Sequence, residues 1–156
     1  MIEIFYNSNR QIVTSESTSI LKDLKYEDVL WIDLFDPSGE EKRSVEDFLN
    51  TTLQSRAQAE EIESSSRYSE TENSIFINTN FLIPGPENYS MESVSFILCE
   101  SIIVSLRQVS LRSFTDIKRR IFNFDIIPSG DLSLFRTLDI ILCLSTIFSR
   151  TNMVFS

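Results

Sequence analysis

Histidine is absent from all 156 residues. That removes the commonest general base and the commonest nitrogen ligand for metals. No Ser-His-Asp or Cys-His arrangement can be assembled from this chain. Cysteine is nearly as scarce: Cys99 and Cys143 stand alone in apolar runs. They suit reduced core residues and give neither a zinc site nor a disulfide framework. Any metal would be held by oxygen, which favours Mg2+ or Ca2+ over zinc or copper. The three glycines, Gly39, Gly85 and Gly130, are isolated, so there is no dinucleotide fingerprint and no P-loop. With no nucleophile–base pair in view, the chain does not read as an enzyme.

Positive charge is also in short supply. Fourteen Lys and Arg face 23 Asp and Glu, a formal net charge of −9. A nucleic-acid binder usually carries a basic footprint, so that class is set aside. The opening MIEIFYNSNR has no signal-peptide character. The longest apolar run, LFRTLDIILCLSTIF at 134–148, is interrupted by Arg136 and Asp139. Its charge-free part is about half of the roughly 20 residues that span a bilayer. It reads as a buried or partner-facing helix, and the chain as soluble.

What is present is the pattern of a layered α/β domain. IEIFY (2–6) and QIVT (11–14) read as a hairpin turning at Asn7-Ser8-Asn9, and 18–25 as a short helix. VLWIDLF (29–35) is apolar on both alternation sets, with Leu30, Ile32 and Leu34 on one and Trp31, Asp33 and Phe35 on the other. Such a strand is usually covered on both faces. Ser38 and Glu41 fit a capping box that starts a helix carrying Val45, Phe48, Leu49 and Leu53. A short surface helix is expected over 56–64, then a strand over 75–83 and a loop over 84–91. VSFILC (94–99) and IIVSLR (102–107) read as a hairpin turning at Glu100-Ser101. Helices follow over 112–124 and 132–149. The expected architecture is an αβα sandwich, its sheet mixed but largely antiparallel, with helices on both faces. Residues 1–130 form this domain, and 131–156 supply a C-terminal helix leading toward a missing segment.

Three charged groups invite functional readings. Asp33 and Asp36 flank the end of a central strand, where α/β enzymes often place acids. The structural alternative has Asp36 shaping the turn before Pro37 and Asp33 near a solvated edge. In the acidic run EEIE, Glu60 and Glu63 share a helical face, with Glu61 to one side. They could hold a hydrated Mg2+ or form a solvated surface. Lys118-Arg119-Arg120 could meet lipid headgroups or an acidic partner, or be the wet side of a helix.

WIDLFDPSGEE (31–41) resembles the W-V-D-L-x-D-P-T-x-E-E opening of the CorA-type magnesium and cobalt transporter family. Trp31, Asp33, Leu34, Asp36, Pro37, Glu40 and Glu41 match it, with Ser38 in place of Thr. EIESSSRYSE (61–70) is similar to the family's R-(P/S)-(K/R)-(I/V)-E segment through Ser66 and Arg67. VSFILCESIIVSLR resembles the hairpin before its T-V-x segment, with Ser105 departing from it. LFRTLDIILCLSTIF resembles its L-L-Y-x-L-L-D-A helix, with Asp139 matching. The resemblance implies the N-terminal cytoplasmic domain of a divalent-cation transporter for Mg2+, and also Co2+ or Ni2+. It implies a homopentamer at the cytoplasmic side of the cell inner membrane, with pore segments outside this chain. It further implies sensing of intracellular Mg2+ at acidic subunit contacts, to which Glu60 and Glu61 correspond. The other reading is an intracellular protein-binding or oligomerisation module with no transport role.

Overall fold

The computed structural model describes residues 1–53, 68–86 and 88–122. In chain order the elements are β1 (Ile2–Ser8), β2 (Gln11–Ser15), β3 (Val29–Phe35), α1 (Gly39–Leu49), β4 (Tyr68–Glu70), β5 (Ser74–Pro84), β6 (Tyr89–Cys99), β7 (Ile102–Arg107) and α2 (Arg112–Ile121). A short 3-10 turn, Thr18–Lys22, stands where a helix is expected over 18–25, and a second, Tyr26–Asp28, follows it. The expected helix at 56–64, Glu60, Glu61 and Glu63, and the C-terminal segment 131–156 lie outside the described residues.

The strands form one sheet in the order β2-β1-β3-β7-β6-β5-β4. Only β3 and β7 run parallel; every other neighbouring pair is antiparallel. The sheet is therefore mixed and largely antiparallel, as expected. β3 sits near its middle because it is apolar on both sides, and burial of both faces needs cover on both.

One face packs Ile4, Ile32, Leu34, Phe76, Ile97 and Val104 under α1, whose Val45 and Leu49 point inward. The other packs Phe5, Leu30, Trp31, Phe81, Val94 and Ile103 under α2, through Phe114, Ile117 and Ile121. Helices thus cover both faces, as the two-sided β3 requires.

α1 is set by its ends. The Ser38 hydroxyl accepts from the Glu41 N–H at 3.2 Å, and Glu41 Oε2 accepts from the Ser38 N–H at 2.8 Å. This is the expected capping box, and it satisfies two otherwise free donors. At the other end Asn50 turns left-handed with φ 49°, which stops the helix before Leu53. Leu53 is still buried, but from the following segment rather than from the helix.

Several local expectations need correction. The first hairpin turns at Asn9-Arg10, because both residues take positive φ (51° and 66°), as a two-residue primed turn demands. The assignment of Leu30 to the Ile32 face also fails. Phe5 pairs with Trp31 and Tyr6 with Val29, so Leu30 is an extra residue in β3. This bulge shifts the alternation by one, and Leu30 joins Trp31 under α2. Tyr68–Glu70 adds an edge strand ahead of the one expected over 75–83. Within 84–91, where a loop is expected, Tyr89 already pairs with Pro84 in the β5–β6 ladder. The second expected hairpin does turn at Glu100-Ser101, with Glu100 at φ 50°.

Cys99 is buried and its Sγ lies 3.2 Å from the Ser74 hydroxyl. Burial pushes its thiol pKa up, which fits a reduced core residue.

Candidate functional site

Asp33 is the most buried charged side chain among the described residues, at 1% exposure. A carboxylate placed there needs partners, since an unpaired charge in a low-dielectric interior is strongly disfavoured. Its strand is flanked by β1 and β7, and both supply part of the answer.

From β7, Ser105 donates to Asp33 Oδ1 at 2.8 Å. Arg107 donates through Nε to Oδ1 at 3.1 Å and through Nη2 to Oδ2 at 2.8 Å. This is the two-pronged pairing that guanidinium geometry favours. From α2, Lys118 Nζ reaches Asp33 Oδ2 at 2.6 Å and Glu3 Oε2, on β1, at 2.5 Å. Trp31 Nε1 donates to the Ser105 hydroxyl at 2.9 Å and so holds it. Arg107 Nη1 donates to the Val109 carbonyl at 2.7 Å. Two carboxylates and two cations give the cluster no net charge.

Aromatic rings wall the cluster. The guanidinium carbon of Arg107 lies 4.5 Å from the Phe114 ring centre and 4.7 Å from that of Phe35. Phe5 stacks on Trp31 at 4.7 Å, and Phe114 meets Trp31 at 6.0 Å and Phe96 at 6.1 Å. Exclusion of water strengthens each charged hydrogen bond inside.

The balance shows in the Asp33 acidity. Burial alone pushes its carboxyl pKa up. The hydrogen bonds and charges of Arg107 and Lys118 outweigh burial, and the pKa lies below its ordinary value. The carboxylate accepts four hydrogen bonds, which fills its usual acceptor positions. It has nothing left to offer a metal ion or a proton in transit. Its work is to fix β3, β7 and α2 against one another.

Asp33 is central and buried, not near a solvated edge, because β1 and β7 enclose it on either side. Asp36 is exposed with φ 40°, and its N–H donates to the Arg107 carbonyl at 2.8 Å. It shapes the turn, as one reading held, and does not pair with Asp33. Lys118 is not on the wet side of its helix; only Arg119 and Arg120 are. Glu3, Ser105 and Arg107 go unnoticed as partners in the sequence. The available signal is Asp33 itself: an acid within a strand apolar on both sides calls for a buried cation elsewhere in the chain. Among the described residues no three acids or cysteines gather into a metal-holding group. Among them, too, no helix is long and apolar enough to cross a membrane.

No protein-family model matches the chain. Individual proteins do. The magnesium transport protein CorA of Wolinella succinogenes is 31% identical over 126 residues, which are 78% of this chain and 39% of that protein. The chain thus spans about two fifths of that relative's length. Among solved structures, the soluble domain of CorA from Methanocaldococcus jannaschii matches with a TM-score of 0.57 at 14% identity, over 96% of this chain and 59% of that one. The cytoplasmic domain of ZntB from Vibrio parahaemolyticus gives 0.50 at 12% identity, over 94% of this chain and 62% of that one. At such identities these two likenesses concern the fold. In sequence the chain is similar to a CorA magnesium transport protein, and its fold is that of the CorA soluble domain.

Proposed function

We propose that this chain is the regulatory part of a divalent-cation transporter, one that senses intracellular Mg2+ and biases a pore lying outside these residues. The observation that carries the reading is a sequence match to a magnesium transport protein over 78% of the chain. The agreement of its sheet and helices with the CorA soluble domain supports it. In this reading Mg2+ is the cargo, with Co2+ or Ni2+ as lesser substrates, and also the regulator.

The regulatory ion would be held by oxygen alone, since the chain has no histidine. On the family resemblance, Glu60 and Glu61 are the donors we assign, completed by acids of a neighbouring copy in a homopentamer. Two facing carboxylates repel, and a divalent cation between them offsets that repulsion. Its loss would loosen the contact and favour the open pore. The assembly would sit at the cytoplasmic side of the inner membrane.

The test is a chimera in which this chain replaces the matching region of the Wolinella CorA. Mg2+ uptake is measured in cells lacking their own Mg2+ transporters. The expected result is uptake that shuts off as internal Mg2+ rises, with the shut-off moved to higher Mg2+ by Glu60→Gln plus Glu61→Gln. A folded, membrane-inserted chimera that moves no Mg2+ would end the transport reading. Normal shut-off in the double variant would end the assignment of the two acids.

A further inference from the structure

We propose that Lys118 is a positioning residue, a charged latch that holds α2 on the sheet, and that α2 lifts off as a unit while the sheet beneath stays closed. The inference stands whether or not the whole protein moves cations.

It comes from how the buried charges are divided. Asp33 and Arg107 lie on neighbouring strands, β3 and β7, and their two-pronged pair is complete within the sheet. Ser105, also on β7, adds a third donor. None of these groups belongs to α2. Lys118 is the one α2 side chain with an ion pair to Asp33 and Glu3 among the described residues. Lys118 and Glu3 keep 17% and 23% of their side chains exposed, against 1% for Asp33 and 5% for Arg107. When α2 lifts, Lys118 and Glu3 return to water they already touch. Asp33 keeps Arg107 and Ser105. Separating β3 from β7 instead would strand a buried acid and a buried guanidinium, a much larger penalty.

The helix is suited to leave as a unit. Leu111 stands at its N-cap and makes no side-chain cap, and no acid occupies the first turn. Ten residues are fewer than an isolated helix needs, and Thr115, Ile117 and Ile121 are β-branched, which lowers helix propensity further. The helix therefore depends on docking. Phe114, Ile117 and Ile121 hold it by burial, which keeps the lifted form a minor one. Lys118 adds a bond to each of two strands and fixes the helix's rotation.

Hydrogen exchange by mass spectrometry on the whole 156-residue chain tests this with three variants. In Lys118→Met, amides of 112–121 should exchange about tenfold faster or more, while those of β3 and β7 stay within about twofold. Lys118→Arg keeps the charge and should stay within about threefold of the native rates in α2. Asp33→Asn leaves Arg107 without its acid and should raise exchange in β3 and β7 as well. A uniform rise across all elements in Lys118→Met, or no rise in α2, would overturn the latch. So would Lys118→Arg behaving like Lys118→Met, or unchanged protection of β3 and β7 in Asp33→Asn.

Discussion

The two faces of the sheet are held by different physics. Under α1 the contact is mainly aliphatic, with Ile, Leu and Val side chains from six elements meeting beside Phe76 and without a buried ion pair among the described residues. Under α2 the contact is aromatic and ionic, built around Asp33, Arg107, Lys118 and Glu3. The helices differ to match. α1 carries a capping box and a left-handed C-cap, so much of its definition is local. α2 has neither device at its N-terminus and takes its position from what it touches. Aliphatic packing fills space but tolerates small shifts of angle. Charged hydrogen bonds in a dry site fix one geometry and fail sharply when a partner is removed.

That contrast can be broken by substitution, with the largest effect expected on the ionic side. Asp33→Ala leaves Arg107 buried without its acid and Lys118 with Glu3 alone, and chemical denaturation should show a loss of about 4 kcal/mol. On the aliphatic side, Leu34→Ala opens a cavity at a fully buried site and should cost about 3 kcal/mol. If the two rank the other way, the ionic face is held mainly by its rings. Ser38→Ala removes one cap bond from α1 and should cost about 1 kcal/mol. A loss well above that would mean α1 also leans on its end for tertiary placement.

Mild acid gives the finest test. Because the folded pKa of Asp33 lies below its ordinary value of 3.8, the carboxylate's stabilisation is fully present above that value. It fades as pH falls through the ordinary value and is gone only below the depressed folded one. The midpoint of denaturation should therefore fall below about pH 4, and less steeply in Asp33→Asn, which has no proton to take up. Equal acid slopes in both proteins would show that other carboxylates carry the acid response.

How much of this the sequence discloses follows from the range of the forces. β3 is legible because both its alternation sets are apolar, and α1 because a capping box is a four-residue signal. The Glu100-Ser101 hairpin is legible because both its arms are strongly apolar. Leu53 is misread as helical because apolar spacing continues past Asn50, where the backbone turns left-handed. The edge strand at Tyr68–Glu70 is too short and polar to announce itself. The family resemblance includes Trp31, Asp33, Asp36 and Glu41. The structure gives these residues physical duties: indole donor, buried acid, turn and cap. The ionic cluster itself is not legible, because Ser105 and Arg107 lie 72 and 74 residues from Asp33. No local pattern can pair groups so far apart. Only the cost of an unmatched acid in an apolar strand hints at them.

The surplus residue at Leu30 bears on how relatives should be lined up with this chain. A relative whose third strand lacks the bulge would need a one-position gap just before the tryptophan. Placed without that gap, the residue before the tryptophan in such a relative would be matched to Leu30 under α2, although its counterpart is Val29 under α1.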